Sequence, residues 1–145
     1  MSIGVAGSEV EDVIFDLDDT LLSSSQVKWA HFKAVAYECY GLVVEDELLR
    51  QQWGRPLKEQ VQRIFGTLDT SERIYDNLAK AVPRFQKTAF DGVVMALRRL
   101  LDARIGVGIV SSAPGYYAVE DLERLGFPYE RFSFIHGEEH LQFHK

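Results

Sequence analysis

The chain has 145 residues, 46% of them hydrophobic, and a net charge of −6. This composition is typical of one ordinary globular domain or a small domain with an insertion, and it is too apolar for a disordered chain. The acidic balance argues against a broad basic face, and therefore against a nucleic acid partner. Cys39 is the single cysteine, so an internal disulfide is excluded, and we expect it to be a small buried hydrophobe.

No segment of the sequence indicates secretion or membrane insertion. The first residues lack a basic stretch followed by an apolar run, which a signal peptide would need. No apolar run approaches the ~20 residues that span a bilayer. We therefore expect a soluble, cytoplasmic protein with no membrane partner.

Residues 12–17 are mostly apolar and β-prone and predict a short buried strand, which a polar cluster beginning at Asp16 then ends. Helical spacing of apolar residues and capping signals predict helices further along, and two later apolar runs predict strands. In chain order the predicted elements are a strand at 12–17, helices at 26–40, 45–53, 56–65, 72–82 and 91–103, a strand at 105–110, a helix at 116–125 and a strand at 132–135.

The order of these elements predicts the fold class and the domain organisation. Strands that alternate with helices indicate parallel βαβ units, so we expect an α/β fold with a Rossmann-like parallel sheet. The helices between the first two strands predict an inserted helical cap of residues 24–87. The core would then be discontinuous, formed by residues 1–23 and 88–145, with short hinge segments at the two junctions.

The segment from Asp16 to Thr20 lies at the end of the first predicted strand. Ligands of parallel sheets bind at the carboxyl ends of strands, which is where this segment lies. Asp16 and Asp18 share one side of an extended chain, and their repulsion can be relieved by a divalent cation or a shared proton. An unpaired carboxylate can also attack phosphorus. The alternative is a strand-to-helix turn in which Asp and Thr only cap the following helix.

Three segments resemble motifs of the haloacid dehalogenase superfamily. Residues 13–22 resemble its first motif, residues 109–112 its second, and Lys145 with the acidic residues before it resembles the third. The helices between the first two motifs resemble the type-1 cap of phosphoglycolate phosphatases and β-phosphoglucomutases. The resemblance implies a Mg²⁺-dependent hydrolase that acts on a small phosphate monoester, a phosphorylated metabolite, through an aspartyl phosphate.

The resemblance also implies roles for individual catalytic residues. Asp16 would be the nucleophile and Asp18 the general acid and base, and both would bind Mg²⁺. Ser111 would hydrogen-bond a phosphoryl oxygen, and Lys145 would offset negative charge. Dehalogenases of the superfamily lack an acid at the position of Asp18, so an aspartate there implies phosphate esters.

Three further residues are candidates for the substrate side of the site. Thr20 would support the loop geometry beside the phosphoryl group, and Ser112 follows Ser111 at the end of its strand. Arg55 lies in the part of the cap that, in similar proteins, approaches the active site and helps to select the substrate. His136, His140 and His144 recur at four-residue spacing, but we expect exposed loop residues there rather than a metal site.

The superfamily has a fourth motif after the lysine, which completes the metal site, and the sequence ends at Lys145. We therefore expect a C-terminally truncated member with weak metal binding. Three functions stay open: a phosphohydrolase, a phosphomutase, and a non-catalytic remnant or binding module. The first strand would lie on an exposed apolar edge of the sheet, which invites self-association or pairing with another chain.

Overall fold

The computed structural model describes residues 9–140. These residues form strands and α-helices in alternation, which confirms the predicted α/β class. In chain order they are β1 (Asp12–Asp16), β2 (Leu22–Ser23), α1 (Ser25–Tyr40), α2 (Asp46–Gln52), α3 (Leu57–Phe65), α4 (Ser71–Ala81), β3 (Thr88–Ala89), α5 (Val93–Asp102), β4 (Gly106–Val110), α6 (Gly115–Arg124) and β5 (Phe134–His136). Short 3₁₀ turns lie at Val82–Arg84, Tyr129–Arg131 and Glu138–His140.

The main sheet has three parallel strands in the order β1-β4-β5. In its register Asp16 lies opposite Val110, and Val110 lies opposite His136. The carboxyl ends of the strands therefore meet at one edge, as the parallel βαβ pattern predicts. This register brings the polar segments that follow β1 and β4 next to each other.

Strand β1 is not the buried strand that the sequence predicted. Asp12, Ile14 and Asp16 are exposed, and Ile14 has 63% of its surface accessible. Within the described residues β1 pairs only with β4, so one edge is unpaired and one face is open. The expected exposed edge is therefore present, although Leu17, directly after the strand, turns into the core.

Two hydrophobic clusters stabilise the described residues. Helices α1 to α4 form one cluster, and the main sheet with α5 and α6 forms the other. The first contains chiefly Phe32, Val35, Leu49, Val61, Ile64, Phe65, Ile74 and Leu78. The second contains chiefly Leu17, Leu21, Leu22, Leu97, Val107, Ile109, Leu122 and Phe127. The division into a core and an inserted cap remains a prediction.

Short strands β2 and β3 lie where the chain enters and leaves the helical segment. They pair antiparallel, with Leu22 opposite Ala89 and Ser23 opposite Thr88. The sequence predicted only hinge segments here, because two-residue strands are too short to show a period of two. The pairing of β2 with β3 holds the entering and the leaving segments of the chain side by side.

One prediction for helix α1 is wrong, namely that Cys39 is buried. The buried side of the helix is formed by Phe32, Val35 and Ala36, with Tyr40 packed against the same cluster. Cys39 is exposed, because the buried stripe continues from Ala36 to Tyr40 and turns Cys39 outward. None of the helices in residues 9–140 has the length and apolar content that a membrane crossing needs.

Candidate active site

Asp16 and Ser111 lie at the carboxyl ends of the neighbouring strands β1 and β4. The side chain of Ser111 is buried, and its Oγ accepts the N–H of Ala113 at 3.1 Å. The N–H of Ser111 donates to the carbonyl of His136 at 2.8 Å, which continues the sheet by one residue. Sheet pairing therefore fixes the position of Ser111 relative to the end of β1.

The carboxylate of Asp16 faces solvent and has one side-chain partner among the described residues. Thr20 Oγ1 donates to Asp16 Oδ2 at 3.0 Å. Partial burial raises the pKa of Asp16, and the charges of Asp18 and Asp19 add to this against the lowering effect of the Thr20 hydrogen bond. The negative charge at this loop is therefore incompletely compensated, which is the environment that a bound cation would relieve.

Asp19 has a structural role in the same loop. Its φ of 59° is left-handed, a conformation that Asp tolerates better than most residues. Its Oδ1 accepts the N–H groups of Ser24 at 2.9 Å and Ser25 at 3.0 Å, at the start of α1. The turn-and-cap interpretation is therefore correct for Asp19, which supplies the acceptor at this helix start.

Asp18 forms an ion pair that the sequence analysis did not predict. Lys87 Nζ donates to Asp18 Oδ1 at 2.7 Å and lies 3.2 Å from Asp121 Oδ2. The Lys87 and Asp18 side chains are only 17% and 15% exposed, so solvent screens the pair weakly. Lys87 precedes β3, and no local pattern marks a lysine there as a partner of a residue 69 positions earlier.

The ion pair shifts the pKa values of both partners away from what burial alone would produce. Burial would raise the pKa of Asp18, but the charge and hydrogen bond of Lys87 outweigh burial and lower it. Burial would lower the pKa of Lys87, but the charges of Asp18 and Asp121 outweigh burial and raise it. Both groups therefore stay ionised near neutral pH.

A second lysine, Lys28, lies near the same carboxylate. Its Nζ lies 5.6 Å from the centre of the Phe32 ring and 5.7 Å from the centre of the Trp53 ring. Burial lowers the pKa of Lys28 to about 8, although the charge of Asp18 opposes this shift. Lys28 thus has an apolar environment, whereas Lys87 has two carboxylate partners.

A cavity of about 250 Å³ lies beside the two lysines, between α1, α4 and the segment before β3 on one side and α6 on the other. Two contacts join these sides, since Glu138 Oε2 accepts the N–H of Leu57 and Arg124 donates to the carbonyl of Lys87. The lining residues are Val27, Lys28, His31, Phe32, Leu57, Tyr75, Leu78, Val82, Phe85, Gln86, Lys87, Ala113, Pro114, Tyr117, Glu120, Asp121 and Arg124.

This geometry agrees with the comparison to known proteins. A family model described as haloacid dehalogenase-like hydrolase matches residues 13–145. The chain belongs to this family. The match begins in β1, just before Asp16 and Asp18, and confirms the resemblance found in the sequence.

Three similar proteins illustrate the family. The validoxylamine A 7'-phosphate phosphatase of Streptomyces hygroscopicus subsp. limoneus is 28% identical over 123 residues, which are 78% of this chain and 55% of that protein. The structure of a predicted phosphatase from Clostridium acetobutylicum is 26% identical with a TM-score of 0.69, and the match covers 90% of this chain and 62% of that one. The structure of a β-phosphoglucomutase from Clostridium difficile is 19% identical with a TM-score of 0.70. The shared fold covers 94% of this chain and 66% of that one. The chain thus spans about half to two thirds of these relatives.

The other predicted site residues have different surroundings. Arg55 Nη1 pairs with Glu59 at 3.4 Å and its Nε donates to the Gln51 carbonyl, and Arg55 does not line the cavity. Ser112 follows Ser111 and is half-buried. Lys145 lies outside the described residues, so its predicted role stays a prediction.

The histidines differ in part from expectation. His136 belongs to β5 rather than to a loop, so that prediction is wrong, because the strand continues one residue beyond its apolar run. Its ring stacks on His140 at 4.5 Å between centroids. Within residues 9–140 no group of three or more His, Cys, Asp or Glu side chains is arranged to hold a metal ion. His144 lies outside the described residues.

The described residues fit part of a magnesium site. Asp16 offers an exposed carboxylate whose charge is incompletely compensated, which suits a hard cation. The side chain of Asp18 is engaged by Lys87, so Asp18 would bind through its backbone carbonyl, as the family resemblance implies. These two residues would hold the ion weakly together with water and substrate oxygens.

Proposed function

We propose that the chain carries the nucleophile and the acid-base group of a Mg²⁺-dependent phosphohydrolase that acts on a small phosphorylated metabolite. The observation that carries the proposal is the exposed Asp16 carboxylate at the end of β1, with Asp18 two residues on and Ser111 at the end of the adjacent strand. Membership of a hydrolase family supports the same reaction class. We also propose that it acts in the cytoplasm.

In the proposed reaction an oxygen of Asp16 attacks phosphorus while the ester P–O bond breaks, which gives an aspartyl phosphate and an alkoxide leaving group. Asp18 in its acid form gives that oxygen a proton. Asp18 as carboxylate then takes a proton from water, which attacks the aspartyl phosphate and releases phosphate and free Asp16. Bound Mg²⁺ would offset the charge of the phosphoryl group, and Ser111 would donate to one of its oxygens.

Lys87 determines which form of Asp18 the structure favours. Because Lys87 holds Asp18 ionised, this arrangement suits the second step, in which Asp18 acts as a base. The first step needs protonated Asp18, so the ion pair must weaken when the substrate arrives. The phosphoryl group offers Lys87 a competing anion, which would release Asp18 to accept a proton.

Two alternative functions differ from the phosphohydrolase in what happens to the phosphoryl group. A phosphomutase would pass the phosphoryl group to a second hydroxyl rather than to water. A non-catalytic remnant or binding module would keep the fold without turnover.

The test is hydrolysis of 4-nitrophenyl phosphate by the purified chain, with and without Mg²⁺. We expect metal-dependent activity that Asp16→Asn lowers by at least about a thousandfold, since the nucleophile is removed. The matched control is Asp12→Asn, the same change at an exposed carboxylate of the same strand, and it should keep full activity. Full activity of Asp16→Asn would refute the nucleophile assignment, and no activity from the folded chain would favour the remnant.

A further inference from the structure

The ammonium group of Lys28 lies against two aromatic rings, whereas three other lysines of the described residues pair with carboxylates. Lys28 Nζ is 5.6 Å from the centre of the Phe32 ring and 5.7 Å from the centre of the Trp53 ring. A ring face attracts a cation, but by only about 0.5–2 kcal/mol. The pairs that the other lysines form are Lys33 with Asp46, Lys80 with Asp76, and Lys87 with Asp18 and Asp121.

These surroundings leave part of the Lys28 population uncharged near neutral pH. Burial lowers the pKa of Lys28 to about 8 and the charge of Lys87 adds to this effect, against the opposing charges of Asp18 and Glu138. At about pH 7.5 an amine with that pKa is about one quarter neutral, whereas an amine with the ordinary Lys pKa of about 10.4 is neutral in about one molecule in a thousand. Only the neutral form has the lone pair that attacks an electrophile.

A small molecule can reach Lys28 through the cavity that this residue lines. The side chain is half-buried, and the cavity of about 250 Å³ extends from it to α6. Lys87 lines the same cavity, but its two carboxylate partners raise its pKa and keep it charged. The other titratable side chains of the wall are His31 from α1, Tyr75 from α4, and Tyr117, Glu120, Asp121 and Arg124 from α6. Lys28 is therefore the amine of this wall that can act as a nucleophile.

We propose that Lys28 is a covalent binding site for small aldehydes, which enter the cavity and form an imine with its amino group. The nitrogen lone pair forms a bond to the carbonyl carbon, and a proton moves from nitrogen to oxygen. The resulting carbinolamine loses water and leaves a C=N bond, which water can hydrolyse again. The step needs no oxidant or reductant, and it uses neither Asp16 nor a metal ion, so it is separate from the proposed hydrolysis.

The test is reductive methylation of the 145-residue chain by formaldehyde and cyanoborohydride, with peptide mass spectrometry. Cyanoborohydride delivers hydride to the imine carbon, so each imine is recorded as a methylated lysine. We expect Lys28 to react at least about fivefold faster than the exposed Lys58, because its larger neutral fraction outweighs the lower nucleophilicity of a weaker base. Lys87 is the control for access to the cavity and should react more slowly than Lys28. A rate at Lys28 no higher than at Lys58 or Lys87 would overturn the proposal.

Two substitutions of Trp53 test whether the surroundings of Lys28 cause its reactivity. Trp53→Glu places a carboxylate beside Lys28 Nζ, which should hold the amine charged. The matched control is Trp53→Gln, which removes the same ring without adding a charge. We expect Lys28 to be methylated about fivefold more slowly in Trp53→Glu than in Trp53→Gln, and equal rates would overturn the proposal. If either variant does not fold, the comparison of Lys28 with Lys58 and Lys87 in the wild type still decides.

A larger aldehyde tests whether the cavity holds the reagent before the bond forms. With benzaldehyde in place of formaldehyde, the rate at Lys28 should saturate as the aldehyde concentration rises, whereas the rate at Lys58 should rise linearly. A linear dependence at both lysines would overturn binding in the cavity.

Asp16→Asn separates this proposal from the proposed function. Lys28 should be methylated in Asp16→Asn at the wild-type rate, because imine formation does not use the Asp16 carboxylate. Loss of hydrolysis together with unchanged methylation would support both proposals. Selective methylation of Lys28 in a wild type that hydrolyses no phosphate ester would count against the phosphohydrolase alone. Hydrolysis without selective methylation would overturn the aldehyde site alone.

Discussion

Replacement of Lys87 by Met removes one charge from the weakly exposed pair with Asp18 and keeps most of the hydrocarbon stem in place. Two unit charges 2.7 Å apart attract by about 6 kcal/mol at an effective dielectric constant of 20, before the desolvation of both groups is subtracted. Loss of one partner of a buried pair typically costs about 3–5 kcal/mol. We expect Lys87→Met to lower the free energy of unfolding by about 3 kcal/mol, at the low end of this range, because Asp121 keeps Arg124 as a partner.

The decrease in the free energy of unfolding in Lys87→Met should depend on pH, and the directions of the pKa shifts of Asp18 and Lys87 predict how. The pKa of Asp18 is lowered in the folded state, so its contribution is complete above the ordinary Asp pKa of about 3.9 and is lost as the pH falls through the lower folded value. The pKa of Lys87 is raised, so its contribution is complete below the ordinary Lys pKa of about 10.4 and is lost as the pH rises through the higher folded value. The difference between wild type and variant should therefore be largest between these limits.

The assay is urea unfolding near pH 7 and at strongly acidic pH, with Asp18→Asn and the double variant completing a cycle. The matched control is Lys80→Met in α4, whose pair with Asp76 is exposed on both sides and should contribute less than about 1 kcal/mol. If Lys87→Met lowers the free energy of unfolding no more than this control does, the pair with Asp18 does not stabilise the fold as expected. A decrease that persists unchanged when Asp18 is protonated would refute the same expectation.

Three further outcomes follow from packing, capping and the open sheet edge. Leu97→Ala should lower the free energy of unfolding by about 2–5 kcal/mol, because Leu97 is buried. Met95→Ala in the same helix should change it by less than about 0.5 kcal/mol, because Met95 is 56% exposed. Similar losses for the two variants in urea unfolding would contradict this prediction. Asp19→Ala should cost about 1 kcal/mol or more through loss of the acceptor at the start of α1, and an unchanged midpoint would argue against that role. We also predict concentration-dependent self-association through β1, which Ile14→Lys should weaken in analytical ultracentrifugation; a wild type that stays monomeric would contradict it.

The parts of the site that follow a local rule could be predicted from the sequence. Asp16 is the last residue of an apolar strand, and Ser111 directly follows the neighbouring strand of the sheet, so the parallel arrangement implies that both lie at one edge. The register of Asp16 opposite Val110 confirms that placement. The cap formed by Asp19 is also local, because it acts on N–H groups five and six residues away.

Other features failed prediction where neighbouring packing decides the outcome. Cys39 fits the apolar spacing of α1, yet the helices packed against α1 select the stripe through Tyr40 instead. Strand β1 is apolar enough for a buried strand, but burial depends on what pairs with its free edge and covers its open face. His136 looked like a loop residue because one polar residue at a strand end has no periodic signal.

Local sequence patterns were enough to predict the α/β class, the approximate positions of the helices and strands, and the acidic motif from Asp16 to Thr20. Each depends on interactions between residues that lie within a few positions of one another. The pairing of Lys87 with Asp18 across 69 positions, and the largely apolar cavity beside that pair, become visible only in the folded chain. Lys87 lies beside Asp18 because β2 and β3, which are far apart in the chain, pair with each other, and the cavity forms where α1 and α4 face α6.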